Sequence, residues 1–182
     1  GNLISGNLGN GIKLDGASGV LIQGNFIGTD LKGIKALGNQ AHGIHAYYSP
    51  NNTIGGPAAG ARNVLSGNGY EGIALEGLTP TGLYPSAASG NRVQENYVGT
   101  DVSGTAALPN SGFGIYVQAP SNTLLGNTVA FNATTGIRVV GGTGNRIGQK
   151  GIFRNRGLGI DLGNPGVGGT SGVNNDQPFP VI

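Results

Sequence analysis

The sequence contains no cysteine, no methionine and no tryptophan. The absence of cysteine excludes disulfides and thiol chemistry. Charge is also scarce: charged residues make up 10% of the chain and the formal net charge is +2. There is no basic run, which argues against a nucleic-acid partner. No stretch approaches the ~18 consecutive apolar residues of a membrane span. Helical periodicity is missing, which excludes an alternating α/β chain, and no antiparallel hairpin pattern supports a β-sandwich. No targeting segment is visible, yet the chain opens at Gly1-Asn2 inside a repeat motif and reads as a piece of a longer protein.

Glycine and asparagine fill the gap, with 38 and 20 residues of the 182. So much glycine is typical of collagen or of disorder. Here there is no three-residue period, aliphatic residues recur throughout, and the low charge favours collapse. A Gly-Ile step recurs at Gly11-Ile12, Gly43-Ile44, Gly72-Ile73, Gly114-Ile115, Gly136-Ile137 and Gly159-Ile160. Each opens a stretch of period two, the mark of a strand with one buried face. A second series contains NLISGN from Asn2, NFIGTD from Asn25, NVLSGN from Asn63 and NYVGTD from Asn96, and continues at Asn127 and Lys150. A third starts at Val20, Asn52, Asn91, Asn122 and Asn145. The three series alternate, and an undecorated turn takes about 23 residues, as from Gly136 to Gly159.

This pattern predicts an all-β, right-handed, single-stranded parallel β-helix, a solenoid of about six turns with three short strands per turn. It should occupy residues 1–163, followed by a Gly/Pro-rich tail or cap over 164–182 in which Phe179 plugs the last turn. The recurring asparagines are expected to be structural, bonding along the axis and supplying the left-handed backbone of sharp corners. Leu3, Ile4, Ile12, Leu14 and Ile22 are expected to face solvent or a neighbour. That implies end-to-end stacking, with itself or with further coils of a longer parent chain.

Two matched insertions, 31–42 and 102–113, follow Gly28-Thr29-Asp30 and Gly99-Thr100-Asp101, and ten of 22 aligned positions from Asn25 and Asn96 are identical. They are expected to stand as ridges two rungs, about 9.6 Å, apart, with the short corner Gly69-Tyr70-Glu71 between them. Further insertions fall at 57–62, from the third series to the second, and at 78–90, between the Gly-Ile strand and the third series of turn 3. Long loops on a rigid scaffold are where function concentrates.

The segments Asn63–Asn68, Gly72-Ile-Ala-Leu75, Tyr97-Val-Gly-Thr-Asp101 and Gly104-Thr-Ala-Ala-Leu-Pro-Asn110 resemble the bacterial right-handed parallel β-helix repeat proteins. The resemblance covers nearly the whole chain. It implies a large secreted or surface-attached bacterial protein, hence an extracellular or cell-surface location, and it carries no catalytic residue. Tails in that family are Asp-rich, whereas this one offers Asn164, Asn174, Asn175 and Asp176. No cofactor is expected, calcium being the one candidate.

Outward positions of the Gly-Ile strands form two columns: Lys13, His45, Ala74, Tyr116, Arg138, Asp161, and Asp15, Tyr47, Glu76, Gln118, Val140, Gly163. Such a face suits a polysaccharide, with Tyr47, Tyr70, Glu76, Tyr84, Tyr116 and Gln118 as candidate contacts. Asp15 and Glu76 lie two rungs apart, about 9.6 Å, so with His45 they are the candidates for catalysis. His42 and His45 lack a third ligand in sequence, and Asp30 and Asp101 are the weak candidates for a metal. The expected role is a non-enzymatic stalk, adhesin or filament element of a secreted or surface protein. The alternative is a carbohydrate-active domain: a polysaccharide lyase, a glycoside hydrolase or a glycan-binding module.

Overall fold

The computed structural model describes residues 1–77 and 87–163. Tyr84, Phe179 and the whole of the expected tail lie outside the described residues. Sheet A stacks β1 (Leu3–Ile4), β4 (Phe26–Ile27), β7 (Val64–Leu65), β10 (Tyr97–Val98), β13 (Thr128–Ala130) and β16 (Gly151–Phe153). Sheet B stacks β2 (Ile12–Asp15), β5 (Ile44–Tyr47), β8 (Ile73–Glu76), β11 (Ile115–Val117), β14 (Ile137–Val139) and β17 (Ile160–Leu162). Sheet C stacks β3 (Leu21–Ile22), β6 (Thr53–Gly55), β9 (Arg92–Gln94), β12 (Thr123–Leu125) and β15 (Arg146–Gly148). Every pairing is parallel and in direct register, so each turn reproduces the one before it. The fold is the predicted parallel β-helix. Among the described residues no helix is long and apolar enough to cross a membrane.

Direct register makes the core a set of columns. Ile27, Leu65, Val98 and Val129 come from sheet A, Ile44, Ile73, Ile115 and Ile137 from sheet B, and Ile54, Val93 and Leu124 from sheet C, all fully buried. At the first turn, Leu14 and Ile22 are buried, contrary to expectation. Their side chains point into the coil, in register with Ala46 and Ile54, and Ala17 and Val20 pack against the same core. Ile4 and Ile12 are half-buried, and Leu3 alone of the five is strongly exposed.

Fifteen of the 20 asparagines form three axial ladders. One runs Asn2, Asn25, Asn63, Asn96, Asn127 and ends on Gln149. Another runs Asn7, Asn39, Asn68, Asn110, Asn132, Asn155. The third runs Asn52, Asn91, Asn122, Asn145. The Oδ1 of one residue typically accepts from the backbone N–H of the asparagine a turn earlier, and in most rungs from its Nδ2 as well. These asparagines are not the left-handed residues. That role falls one position earlier, to Asn51, Glu95, Ser121, Phe131 and Arg154, with φ between 52° and 61°, and to glycines such as Gly6, Gly67 and Gly126. The left-handed residue turns the chain, and the following asparagine is then aimed inward to bond the next rung.

The matched insertions also differ from expectation. Thr29 pairs with Ala36, and Thr100 with Ala107, in short antiparallel bridges. Each excursion therefore closes early, and the remainder rejoins the coil, with Asn39 and Asn110 taking ladder positions. The two loops also meet instead of standing apart over the corner between them. Val102 N donates to Gly33 O at 2.9 Å, joining them across the third turn, which has no insertion at this corner.

Asn96 is fully buried, and its Oδ1 accepts from both N and Nδ2 of Asn63 while its Nδ2 donates to Ile54 O. Asn96→Ala orphans all of these groups and should cost about 3 kcal/mol or more, whereas the same change at half-buried Asn155 should cost about 1 kcal/mol. Urea denaturation of the two variants checks this; equal losses would show that the ladder does not carry stability.

Candidate binding face on sheet B

Alternation along β5 turns Ile44 and Ala46 into the core and His45 and Tyr47 outward. Register then builds the first column from Lys13, His45, Ala74, Tyr116, Arg138 and Asp161. Asp15, Tyr47 and Glu76 follow one another in the second. Ala74 is fully buried although it sits at an outward position, because its larger neighbours close over it. A third column exists as well. The residues preceding the Gly-Ile steps stack through their backbones: His42 over Gly11, Glu71 over Gly43, Phe113 over Gly72 and Thr135 over Gly114.

The columns converge on turns 2 to 4. His45 Nε2 lies 2.8 Å from Glu76 Oε2, and His42 Nδ1 lies 2.8 Å from Glu71 Oε2. The second contact is close, but its geometry falls short of a directed hydrogen bond. The two imidazoles stand 4.8 Å apart, centroid to centroid. Tyr70 lies 5.5 Å beyond His42, Tyr47 lies 5.6 Å beyond His45, and Tyr48 meets Tyr47 edge-on at 4.6 Å. Phe113 and Tyr116 stack at 5.9 Å, with the Arg138 guanidinium 5.7 Å from the Phe113 ring. The result is a strip of rings with two carboxylates set among them.

Electrostatics follows the pairing. The hydrogen bond from His45 draws Glu76 below its ordinary value, outweighing the opposing effect of burial. Burial pushes Glu71 up, but the His42 contact and backbone N–H groups together bring it below the ordinary value. Desolvation raises the Tyr116 hydroxyl, and the nearby Glu76 charge adds to it. Tyr47 is raised too, first by desolvation and then by Tyr48.

Of the residues singled out by sequence, Tyr47, Tyr70, Glu76, His45 and Tyr116 share this face. Gln118 is turned to the backbone, its Oε1 accepting from Gly77 N at 3.0 Å. Asp15 is held by Lys13 at 2.6 Å, and Tyr47 separates it from Glu76 in the column. Asp30 and Asp101 use Oδ1 to accept loop N–H groups, from Ile34 and Lys35 in one loop and from Thr105 and Ala106 in the other. Ser103 Oγ also donates to Asp101, and both carboxyls are held low, burial at Asp101 acting against the trend. Among the described residues no three His, Asp or Glu side chains are grouped to hold a metal ion. Sequence reasoning missed Glu71, Phe113 and the pairing of His42; the signal was the position immediately before each Gly-Ile step.

Three parallel sheets, in-register columns and axial asparagine ladders define a parallel β-helix. The chain matches the family described as right handed beta helix region over residues 1–166, and it belongs to that family. Searches of curated proteins and of solved structures find no match.

Because Glu76 is depressed in the folded state, its contribution to stability is complete above the ordinary value of 4.5 and is lost as pH falls through the lower folded value. Glu71 contributes with the same sign. Denaturation midpoints measured from neutral pH downward should therefore fall more steeply for the wild type than for Glu76→Gln. Identical acid limbs would show that the His45 pair does not stabilise the fold.

Proposed function

We propose that the chain is a non-enzymatic, adhesive β-helix segment of a secreted or cell-surface protein, and that the outer face of sheet B across turns 2 to 4 holds an extended polysaccharide. The observation supporting this is the strip of rings from Tyr70 through His42 and His45 to Tyr47 and Tyr48, carried on a rigid sheet. Sugar rings lay their C–H faces on aromatic rings, while carboxylates and imidazoles bond the hydroxyls. The secreted setting rests on the family resemblance.

The same geometry favours binding over hydrolysis. A glycosidase needs one carboxyl kept protonated near neutral pH and a second at a set distance. Glu71 and Glu76 are both shifted the other way. Asp15 is engaged by Lys13, and Tyr47 stands between it and Glu76.

The test is a glycan array of neutral polysaccharides, followed by titration of any ligand found. Tyr47→Ala with Tyr116→Ala should weaken binding about tenfold or more, since each ring contact contributes roughly 1 kcal/mol, and should leave the melting temperature near that of the parent. Unchanged affinity in the folded double variant rules this face out. Release of reducing ends or unsaturated products from a bound glycan would overturn the non-enzymatic reading.

A further inference from the structure

The outer face of sheet C has a different chemical character. Leu21, Thr53, Arg92, Thr123 and Arg146 follow one another as Cα partners in a single outward column. Arg92 and Arg146 are exposed, and neither enters an ion pair among the described residues. No Asp or Glu occurs in any of the five strands of this sheet. On sheet B, by contrast, Lys13 is matched by Asp15, and Arg138 by Asp161. Within its strands sheet C thus carries positive charge with no matching acid, and half-buried Thr123 stands between the two arginines in the column.

The spacing adds specificity. Arg92 and Arg146 are separated by one intervening strand, so their backbones stand two rungs apart, about 9.6 Å. That is close to the length of two sugar residues in an extended chain. A guanidinium presents a planar fork to a carboxylate or sulfate, and threonine can bond a sugar hydroxyl between them. We infer that this column is a second binding site, separate from the sheet B face, for an anionic polysaccharide carrying one acidic group per disaccharide. Nucleic acid fits the face less well. None of the five strands contains an aromatic residue to stack a base, and two guanidinium groups neutralise few phosphates.

The experiment is titration of the whole chain at low ionic strength with hyaluronate, which has one carboxylate per disaccharide, with chondroitin sulfate, which adds a sulfate, and with neutral dextran. Acidic chains should bind and dextran should not bind at this column. Arg92→Gln with Arg146→Gln should weaken acidic binding about tenfold, corresponding to loss of two charge-assisted contacts. Arg154→Gln with Arg156→Gln removes the same charge from another corner and should change it less than about twofold. If the glutamine pair perturbs the coil, Arg92→Lys with Arg146→Lys keeps the charge, loses the fork and should still weaken binding measurably. Equal losses in the two glutamine pairs, binding of single-stranded DNA as tight as that of hyaluronate, or no binding of either acidic chain would overturn the assignment. Loss of acidic binding in the Tyr47, Tyr116 variant would move the site to sheet B. Binding of neutral glycans, which reports on the sheet B proposal, should be the same in the arginine variants as in the parent.

Discussion

The interaction on which the rest of this structure depends is the hydrogen bond between buried side-chain amides one rung apart. A β-helix turn has three corners, and at each corner the backbone leaves its sheet and its N–H and C=O groups lose their strand partners. In a dry interior such groups must be satisfied. An asparagine at the corner supplies a donor and an acceptor in the right places, with Asn96 serving Asn63 and Ile54 at once. Because each amide needs its equivalent directly above or below, the ladders also fix register. A turn displaced by one residue would break a ladder as well as invert a strand.

Register in turn creates the surfaces. Once strands repeat without offset, outward side chains form columns whose composition is set by the repeat. Tyr, His and Glu accumulate on sheet B, and Arg alternates with Thr on sheet C. Close approach of successive turns limits what can stand at the corners. At Gly99, with φ 85°, a Cβ would overlap the Ala130 carbonyl and the Asn132 amide of the next turn. The scaffold tolerates variation on its outer faces and in its loops, and very little at these positions.

The columns of sheet B could be read from sequence because period two and the Gly-Ile step determine which residues share a face. The pairing within them could not. That His45 reaches over Ala74 to Glu76 depends on the shortness of the alanine side chain and on rotamers, which spacing does not encode. The column of His42, Glu71 and Phe113 is not legible in the pattern because it lies just outside the alternating stretch, in what reads as a corner. The ladder roles of Asn39 and Asn110 are hidden for a related reason: nothing in the spacing marks where the insertions end, and they rejoin the coil several residues before the Gly-Ile step. The left-handed residues stand one position before the asparagines, and local preference points to the wrong residue because asparagine tolerates that backbone far better than Phe131 or Arg154 does.

In a simple solenoid each turn interacts only with its immediate neighbours, so the array can fray turn by turn from either end. The hydrogen bond from Val102 to Gly33 breaks that rule, since it joins the second turn to the fourth and passes over the third. The third turn, which contributes Glu71 and Glu76, is therefore clasped from outside as well as stacked within. Its strands cannot peel away without first separating the loops, so turns 2 to 4 should open as one cooperative block while the outer turns loosen independently.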